Sequence, residues 1–383
     1  MKLLLIHNDY GKYSGEEAVV DRQIVLFKRM GHEVGVYRKT TEGRRGTFWG
    51  NIKGLLWGFY AYNAVRDIKQ IMKDDRPDIV VVHHLYPFIS PAILKHIKKA
   101  GVPVIMTVHN FRLMCPTGLF MRNSEPCELC LGGHEWNCIR HNCESSHLKS
   151  LGYAGRNWYA RATKAYINNV DIYACITRFQ IQKLIQAGFD KNKMRHIPNF
   201  LDRVEDPAYS LGDYVAISGR LSKEKGIDLA LEVATMTPDI KYVFAGSPRK
   251  EEPITTPIPD NCIFLGYIPK KELANFYQNA RFLLNMSRCY EGFPMTILEA
   301  ASHGKPSIGP GHAGFLEIIE NNITGLHFKP GNAEDLKRKI TWLWNNPDSC
   351  MEMGKNAFLK LKNNYTTEIV KKQWQDVFSE LHT

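Results

Sequence analysis

Two carboxylates in the stretch Ser287–Gly304 have the residue type and placement of ligand-binding groups. Glu291 and Glu299 are separated by seven residues in the string SRCYEGFPMTILEAASHG. The apolar run Phe282–Leu284 precedes them and predicts a buried strand, and Pro294 presets the backbone for the first position of a helix. Glu291 is therefore expected at the carboxyl end of a parallel strand, where open α/β sheets bind ligands. The alternative is that Glu291 only stabilises the helix start and that Glu299 is a solvated acid.

A basic loop in the same half of the chain could hold an anion. Residues 219–226 read GRLSKEKG and follow the predicted strand Tyr214–Ser218. Arginine grips phosphate oxygens as a fork, whereas lysine acts as a point charge. Arg220 and Lys225 could therefore stabilise the negative charge that develops on a departing diphosphate. A solvated surface loop can have the same composition, so the loop alone does not decide between these two interpretations.

The string E-G-F-P-x-x-x-x-E resembles the signature of retaining glycosyltransferases of family 4, which have the GT-B fold. The resemblance implies two doubly wound, Rossmann-like parallel-sheet domains that face a central cleft. It assigns contact with the donor sugar to Glu291 and contact with the nucleotide ribose to Glu299. It assigns the donor diphosphate to Arg220 and Lys225. Because the chain has no D-x-D motif, we expect no metal to bridge the diphosphate.

The resemblance also implies further site residues. His109 follows a predicted buried strand and matches the family's histidine that faces the transferred sugar from the first domain. Gly15 matches the glycine-rich loop near the diphosphate, although Ser14 replaces the first glycine of the usual pair. Asn199 lies in I-P-N-F, where Phe200 replaces the common glycine. The other implied donor contacts are Gly246, Tyr267, Ile268, Gly292, Phe293, Pro294, Met295 and Thr296.

The length of 383 residues and the alternation of strands with helices predict two α/β domains. Residues 1–203 are expected to form an N-terminal acceptor-side domain with a cysteine-rich insertion at 115–143. Residues 213–362 are expected to form the nucleotide-sugar-binding domain, with 311–322 and Gly325–Phe328 completing its sheet. The resemblance implies that residues 363–383 form a helix that returns to the first domain.

Five of the nine cysteines lie within residues 115–143. Cys127, Cys130, Cys138 and Cys143 could supply four thiolates to one tetrahedral structural zinc. Their spacing is not that of two paired knuckles, so reduced thiols and an iron–sulfur or redox site remain alternatives. We expect no disulfides in a cytoplasmic protein. The insertion itself resembles that of a bacterial, polysaccharide-type subset of the same family.

Positive charge is concentrated in the first half of the chain. Residues 1–200 contain 29 Lys and Arg against 16 Asp and Glu, a net charge of +13, whereas the remaining residues have a net charge of −2. This asymmetry fits an anionic partner, which could be nucleic acid, anionic lipid or a phosphorylated substrate, or an evenly solvated surface. The stretch Arg44–Tyr62 interleaves basic residues with Trp and Tyr. It fits a segment at a membrane surface or a helix packed on its own domain.

We expect a cytoplasmic protein that is peripheral at the inner membrane face. No apolar run reaches the roughly 18 residues of a spanning helix. The polar residues His7, Asn8 and Asp9 interrupt the apolar N-terminus, so no signal peptide is expected.

Together with the resemblance, these features imply a retaining, metal-independent hexosyltransferase that moves a sugar from a UDP- or GDP-linked donor. The expected acceptor is lipid-linked or a glycan, in the synthesis of cell-surface polysaccharide or glycolipid. One alternative is a basic, zinc-containing nucleic-acid-binding protein, and another is a GT-B nucleotide-sugar epimerase. No helix carries a basic stripe with base-reading residues, so nucleic acid is not an expected partner. The E-G-F-P string and the basic loop match transferases better than epimerases.

Overall fold

The computed structural model describes residues 1–9, 15–40, 57–248 and 253–382, with Lys270 described by its backbone alone. These residues belong to two compact units. The first unit comprises Met1–Leu119, Glu128–Pro198 and Lys371–Thr383. The second comprises Phe120–Cys127 and Asn199–Val370, so it includes a short segment from the first half of the sequence.

Each unit is built on one six-stranded sheet. The strands of the described residues are β1 (Lys2–Asp9), β2 (Glu33–Thr40), β3 (Ile79–Val82), β4 (Val104–Val108), β5 (Met121–Arg122), β6 (Glu125–Pro126), β7 (Ile172–Cys175), β8 (Met194–His196), β9 (Tyr214–Ser218), β10 (Tyr242–Ala245), β11 (Cys262–Gly266), β12 (Ala280–Leu284), β13 (Ser307–Pro310) and β14 (Gly325–Phe328). The first sheet has the order β2-β1-β3-β4-β7-β8, and the second has the order β11-β10-β9-β12-β13-β14. All neighbouring strands in both sheets are parallel, and β5 and β6 form a separate antiparallel hairpin.

Central strands are buried and almost entirely apolar because helices cover both faces of a parallel sheet. Every residue of β3, β4 and β10 is buried. The α-helices of the described residues are Gly15–Arg29, Tyr62–Asp74, Ala92–Lys99, Trp136–Arg140, His147–Ala162, Arg178–Gln186, Ile227–Met236, Lys270–Gln278, Met295–Ser302, Phe315–Ile318, Ala333–Asn345, Pro347–Asn364 and Thr367–Leu381. In the first unit, Trp374 of the last helix packs on Phe27 with ring centroids 5.0 Å apart.

The strand order reverses at one point in each sheet. In the first sheet β2 and β3 lie on opposite sides of β1, and in the second sheet β10 and β12 lie on opposite sides of β9. Doubly wound sheets bind ligands at this point, beyond the carboxyl ends of the strands. The residues after β1 and β3, and those after β9 and β12, are therefore the places where a site is expected. The predicted α/β class with two doubly wound parallel sheets is confirmed.

Two local expectations from the sequence are wrong. Residues 311–322 form no strand of the sheet and contain the short helix Phe315–Ile318. The strand in this part of the sheet is β13, which ends just before them at Pro310. Pro294 is not the first helical residue but the N-cap, with an extended ψ of 103°. Strand β13 contains a glycine and ends in a proline, so local propensity favours a turn there, whereas pairing with β12 and β14 imposes a strand.

Most of the aromatic–basic stretch Arg44–Tyr62, including Trp49, lies outside the described residues. Its described end packs on the first unit, where the ring centroid of Trp57 lies 5.6 Å from that of Phe88. The following helix, Tyr62–Asp74, buries Val65 and Ile68. In the described part of the chain, no helix has the length and hydropathy that crossing a bilayer requires.

Candidate active site

Glu291 lies in the loop after β12 and accepts two donors on one carboxylate oxygen. Lys225 Nζ donates to Glu291 Oε1, and Ser287 Oγ donates to the same oxygen at 2.6 Å. Lys225 comes from the loop after β9, so the pair joins the two loops at the reversal point of the second sheet. The side chain of Glu291 is 14% exposed and that of Lys225 is 33% exposed. Sequence reasoning predicted both residues, and the structure brings them together.

Both members of this pair stay charged at neutral pH. Burial by itself would raise the pKa of Glu291, but the charge and hydrogen bond of Lys225, helped by Ser287, bring that pKa below its usual value. Burial would lower the pKa of Lys225, but the Glu291 carboxylate raises it above its usual value. A charged lysine within a ligand-binding loop provides a fixed positive charge for an anionic ligand.

Two glycines allow these loops to approach one another. Gly246, after β10, has φ = +153°, and a Cβ on it would lie 1.8 Å from the carbonyl oxygen of Gly219. Gly314 lies next to the loop after β12 that contains Glu291. A Cβ on Gly314 would lie 2.5 Å from the carbonyl oxygen of Gly292. No side chain fits at either place without moving the backbone. The glycines therefore fix where the loops that carry Arg220 and Glu291 lie.

Arg220 has a carboxylate partner within its own loop. Its Nη2 lies 3.0 Å from Glu224 Oε1, and the Glu224 side chain is buried. The backbone carbonyl of Glu224 accepts from the amide of Arg288, whose guanidinium pairs with Asp228 at 2.7 Å. These bonds tie the loop after β9 to the loop after β12. The Arg220 side chain itself is 43% exposed and remains accessible to a ligand.

Glu299 belongs to a second hydrogen-bonded set on the helix Met295–Ser302. Tyr277 Oη donates to Glu299 Oε2 at 2.9 Å and lies 2.7 Å from Ser218 Oγ, the last residue of β9. Burial and the neighbouring carboxylate raise the pKa of Tyr277 well above its usual value, so it stays a donor. This arrangement holds Glu299 at the reversal point of the sheet, near the end of β9.

The other predicted donor contacts lie around these loops. Tyr267 follows β11 and is 82% exposed, and Phe293 packs on Tyr365 with centroids 5.4 Å apart. Thr296 Oγ1 lies 3.4 Å from Asn285 Oδ1. The second unit contains Asn199, Gly246, Tyr267, Ile268, Gly292, Phe293, Pro294, Met295, Thr296 and Glu299, whereas Gly15, which begins the helix Gly15–Arg29, belongs to the first unit.

In the first unit, His109 is hydrogen-bonded to a second histidine. His83 Nδ1 and His109 Nε2 are 2.8 Å apart, and the rings are stacked with centroids 5.0 Å apart. His83 Nε2 is buried and has no hydrogen-bond partner in the described structure. A bare acceptor is less costly there than an unpaired N–H, so we assign the shared proton to His83 Nδ1. His109 then carries its own proton on Nδ1 and can donate it to a ligand.

Two more histidines complete a cluster at the carboxyl ends of β1 and β3. His84 Nε2 accepts from Arg112 Nη1 at 3.2 Å, and His7 Nδ1 accepts from the His84 amide at 3.4 Å. Burial lowers the pKa of each, to about 4 for His7 and His109 and well below the usual value for His83 and His84. Sequence reasoning selected only His109. The available signal was that the His83-His84 pair also follows a buried strand, and that His7 follows the apolar run Leu3–Ile6.

His7 also belongs to a group that could in principle hold a metal. In the described chain, the group of three or more His, Cys, Asp or Glu side chains whose ligand atoms all lie within 4.8 Å is His7, Asp9 and Glu17. His7 Nδ1 accepts a hydrogen bond, so its proton is on Nε2, which faces Asp9 Oδ1 at 3.4 Å. A protonated Nε2 does not ligate a metal, so His7 in this tautomer offers the group no metal ligand.

The cysteines of the insertion divide between the two units. Cys130, Cys138 and Cys143 pack with Ala154 and Ile139 in the first unit, whereas Cys127 belongs to the second. The four predicted zinc ligands are not a group with all ligand atoms within 4.8 Å. This arrangement supports reduced thiols more directly than zinc, and the zinc site stays a prediction. All nine cysteines are free thiols.

Comparison with known families identifies the chain. Residues 13–205, just over half of the chain, match the model described as Glycosyltransferase Family 4. The chain belongs to glycosyltransferase family 4. Residues 202–360 of this family 4 protein also match the model for glycosyl transferases group 1, and these residues contain Arg220, Lys225, Glu291 and Glu299. The family assignment supports the transferase interpretation, and neither the nucleic-acid nor the epimerase alternative receives support.

Relatives of this family 4 chain include uncharacterized bacterial proteins and a glycosyldiacylglycerol synthase. It is 25% identical over 89% of its length to an uncharacterized 42.6 kDa protein in the cps region of Klebsiella pneumoniae, covering 96% of that protein. It is 24% identical over 56% of its length to alpha-galactosylglucosyldiacylglycerol synthase of Streptococcus pneumoniae. The chain spans 63% of that synthase and 56% of a second Klebsiella cps-region protein.

Solved structures show the same fold. Sucrose-phosphate synthase from Thermosynechococcus elongatus superposes with a TM-score of 0.76 at 15% identity, covering 99% of this chain and 98% of that one. Anabaena Alr3699/HepE, solved in complex with UDP and glucose, gives a TM-score of 0.69 at 14% identity, covering 99% and 100%. The family 4 chain thus has the GT-B fold that the sequence predicted.

Proposed function

We propose that this family 4 protein transfers a sugar, with retention of anomeric configuration, from a nucleoside diphosphate sugar to an acceptor hydroxyl. The observation that carries the proposal is the ion pair between Lys225 and Glu291 at the reversal point of the second sheet. This pair combines a fixed cation for the leaving diphosphate with a carboxylate that can accept hydrogen bonds from the hydroxyls of the sugar. Arg220, in the same loop as Lys225, adds a second cation.

The donor is a UDP- or GDP-linked hexose bound on the second unit. Glu299, held by Tyr277, accepts from the ribose hydroxyls, and the backbone at Tyr267 and Ile268 contacts the base. Gly246, Gly292 and the residues from Phe293 to Thr296 surround the diphosphate and sugar. Structures of Anabaena Alr3699/HepE with UDP and with UDP-glucose support a nucleotide-sugar ligand for this fold.

The diphosphate leaves without a metal ion in this proposal. Arg220 can bind phosphate oxygens as a fork, and Lys225 adds a point charge. Free N–H groups at the start of the helix Met295–Ser302 favour negative charge beside them. These groups are held before the reaction by Glu224, Glu291 and the backbone, so little reorganisation is needed when charge develops.

Glu291 orients the sugar rather than attacking it. Its Oε1 already accepts from Lys225 and Ser287, and its low pKa makes it a weak base. The acceptor hydroxyl then attacks from the face that the diphosphate leaves, and a phosphate oxygen takes the proton. A double displacement through Glu291 is the competing mechanism. It would accumulate a glycosylated Glu291 peptide, detectable by mass spectrometry after donor is added without acceptor.

The acceptor is a lipid-linked or glycan hydroxyl in cell-surface polysaccharide or glycolipid synthesis, reached from the cytoplasm. The names of the relatives support this class, since one makes a glycosyldiacylglycerol and another, of Staphylococcus aureus, glycosylates poly(ribitol-phosphate). His109 is the first unit's candidate for contact with the transferred sugar. Its Nδ1–H is the hydrogen-bond donor left over from the bond with His83.

Peripheral contact with an anionic membrane is part of the proposal. The net charge of +13 on residues 1–200 supports it. Each Lys or Arg close to an anionic surface contributes about 1 kcal/mol. Sedimentation with anionic vesicles should show binding that weakens with salt and with the change of Trp49 to Ala. Equal binding to neutral and anionic vesicles, or none to either, would remove membrane contact from the proposal.

Structural zinc on Cys127, Cys130, Cys138 and Cys143 is kept as a separate proposal with a simple test. Elemental analysis of the purified protein should find about one zinc per chain if the site forms. A metal-free protein in which all four thiols react with a thiol reagent would establish the reduced-thiol alternative.

A panel of nucleotide sugars tests the donor proposal directly. A bound donor raises the unfolding temperature by mass action, so thermal unfolding should shift with one UDP- or GDP-linked sugar more than with the others. The shift should disappear in Lys225→Ala. If no nucleotide sugar shifts the unfolding temperature, the proposed donor class is wrong.

A further inference from the structure

The first unit contains a cavity that the proposed donor chemistry does not use. It lies among residues 112–114, 132–135 and 157–167 and is partly open to solvent. Its walls include Tyr86 and Tyr166, and the apolar side chains of Leu113, Met114 and Phe189. The cavity volume of about 40 Å³, measured for the centres of water-sized molecules, has room for a few waters or for one small charged group at the end of a ligand.

The charged side chains that line this first-unit cavity are predominantly cationic. They are Arg112, Arg161, Lys164 and Glu135. Arg161 binds Glu135 with two bonds, Nε to Oε1 at 2.7 Å and Nη2 to Oε2 at 3.1 Å, so these two charges cancel. The four side chains together have a formal charge of +2. Lys164 is exposed and forms no ion pair with another described residue.

A buried arginine adds to the positive potential from behind one wall. Arg156 is 5% exposed, and its guanidinium lies 4.1 Å from the ring centroid of Tyr86 and 4.3 Å from that of Tyr153. Its Nη2 donates to the Pro116 carbonyl at 3.1 Å, and its Nε has no hydrogen-bond partner. No carboxylate of the described chain pairs with it. Cation–π contacts offset only part of the cost of burying this charge, so an anion nearby would stabilise it further.

The cavity is connected to the histidine cluster through Arg112. Arg112 Nη1 donates to His84 Nε2, and the neighbouring residue, His83, is bonded to His109. A group held by Arg112 would therefore lie in the same part of the first unit as His109. Asn157 also lines the cavity and is 7% exposed. Its Oδ1 has no hydrogen-bond partner and could accept a hydrogen bond from a ligand hydroxyl.

We propose that the first-unit cavity binds an anionic group of the acceptor, a phosphate or a carboxylate, through Arg112 and Lys164. This inference rests on the proposed function, because it assigns a substrate class to the acceptor side of the same reaction. The anion compensates the excess charge of the lining and the charge of Arg156. The apolar wall residues contact the part of the acceptor next to the anion.

Anion binding can be measured without any donor or acceptor. The protein carrying Arg220→Ala and Lys225→Ala is used, so that phosphate does not bind where the diphosphate is expected. Its thermal unfolding is followed against inorganic phosphate and, separately, sodium glucuronate, with the ionic strength held constant by KCl. Phosphate that stabilises selectively indicates a phosphorylated acceptor, and glucuronate that does so indicates an acidic glycan.

Two single changes locate the site. Lys164→Gln should weaken the anion's apparent affinity roughly 10-fold, the usual effect of one charged hydrogen bond. Lys149→Gln is the matched control, because Lys149 is also an exposed lysine but lies outside the cavity lining. The affinity of this control for the anion should equal that of the parent protein with Arg220→Ala and Lys225→Ala. The proposal is overturned if neither anion stabilises more than KCl does, or if Lys149→Gln and Lys164→Gln weaken binding equally. Either result leaves the donor tests unaffected.

Discussion

Lys225 and Ser287 donate to the same oxygen of Glu291, and this relationship defines the charge state of the candidate active site. The two donors come from loops after different strands, β9 and β12, that meet where the second sheet reverses its order. Because the lysine and the carboxylate hold each other in the charged form, the cation is already present and oriented before a donor arrives. The predictions below follow from this pair and from the elements that hold it.

Removing either cation of the basic loop should slow transfer and leave the fold intact. Lys225→Ala and Arg220→Ala should each lower the transfer rate by roughly 10²-fold or more, the effect of losing a preorganised charge donor. Lys223→Ala, in the same loop but without a bond to Glu291, is the control. Steady-state rates and unfolding midpoints are measured for all three. A transfer rate within threefold of wild type in both Lys225→Ala and Arg220→Ala would show that this loop does not stabilise the charge of the leaving group.

Gly246→Ala should disturb the site and the fold more than Gly266→Ala does. The alanine Cβ at position 246 would meet the Gly219 carbonyl, whereas nothing lies within 4 Å of a Cβ at position 266, where φ is +68°. We expect Gly266→Ala to cost about 1 kcal/mol for the left-handed backbone, and Gly246→Ala to cost about 2 kcal/mol or more with weaker donor binding. Urea unfolding and donor titration measure both effects. Equal costs would show that the close approach at Gly219 does not constrain the loop.

His83 should act as a positioning residue for His109. His83→Ala removes the bond to His109 Nε2, so His109 can change tautomer and lose its free Nδ1–H. His83→Asn places an amide N–H near the former Nδ1 and should restore much of the activity. We expect kcat to fall in the alanine variant and to recover in the asparagine variant. If the two variants have the same kcat and the same NMR signal for the His109 ring, His83 only fills space.

The histidine cluster should make the protein less stable in mild acid. His7 and His109 have pKa values of about 4 in the folded state, lower than the usual 6.5 that applies when unfolded. The unfolded chain therefore binds more protons between about pH 6.5 and pH 4, and stability falls as pH falls through this window. His7→Gln should show a smaller loss between pH 7 and pH 5 in urea unfolding. A loss as large as that of wild type would mean that His7 does not contribute to the acid sensitivity.

The part of the site in the second unit was predictable because the sequence patterns that indicate it are local. Glu291, Glu299, Arg220 and Lys225 lie in short strings whose residue types and spacing state their chemistry. The apolar runs of the central strands likewise predicted the parallel sheets. By contrast, β13 contains Gly309 and Pro310, and only its pairing with β12 and β14 makes it a strand.

The bonds that join the predicted His109 to the other histidines of the cluster were missed for a different physical reason. His7, His83 and His109 come from three strands that are distant in sequence, and each alone reads as a polar strand end. Their bonds form only when the order β1-β3-β4 places those ends side by side. The division of Cys127 from Cys130 between the two units has the same origin, because spacing along the chain does not specify which unit a residue packs on.

The release of nucleoside diphosphate from a UDP- or GDP-linked sugar in the presence of EDTA tests the central claim most directly. We predict that the wild-type protein releases nucleotide from one such donor at the same rate with and without EDTA. We also predict a release at least roughly 10²-fold slower in Lys225→Ala, because the fixed cation at the leaving group is lost. Release that EDTA abolishes, or that is unchanged in Lys225→Ala, would contradict a metal-independent departure assisted by the pair of Lys225 and Glu291.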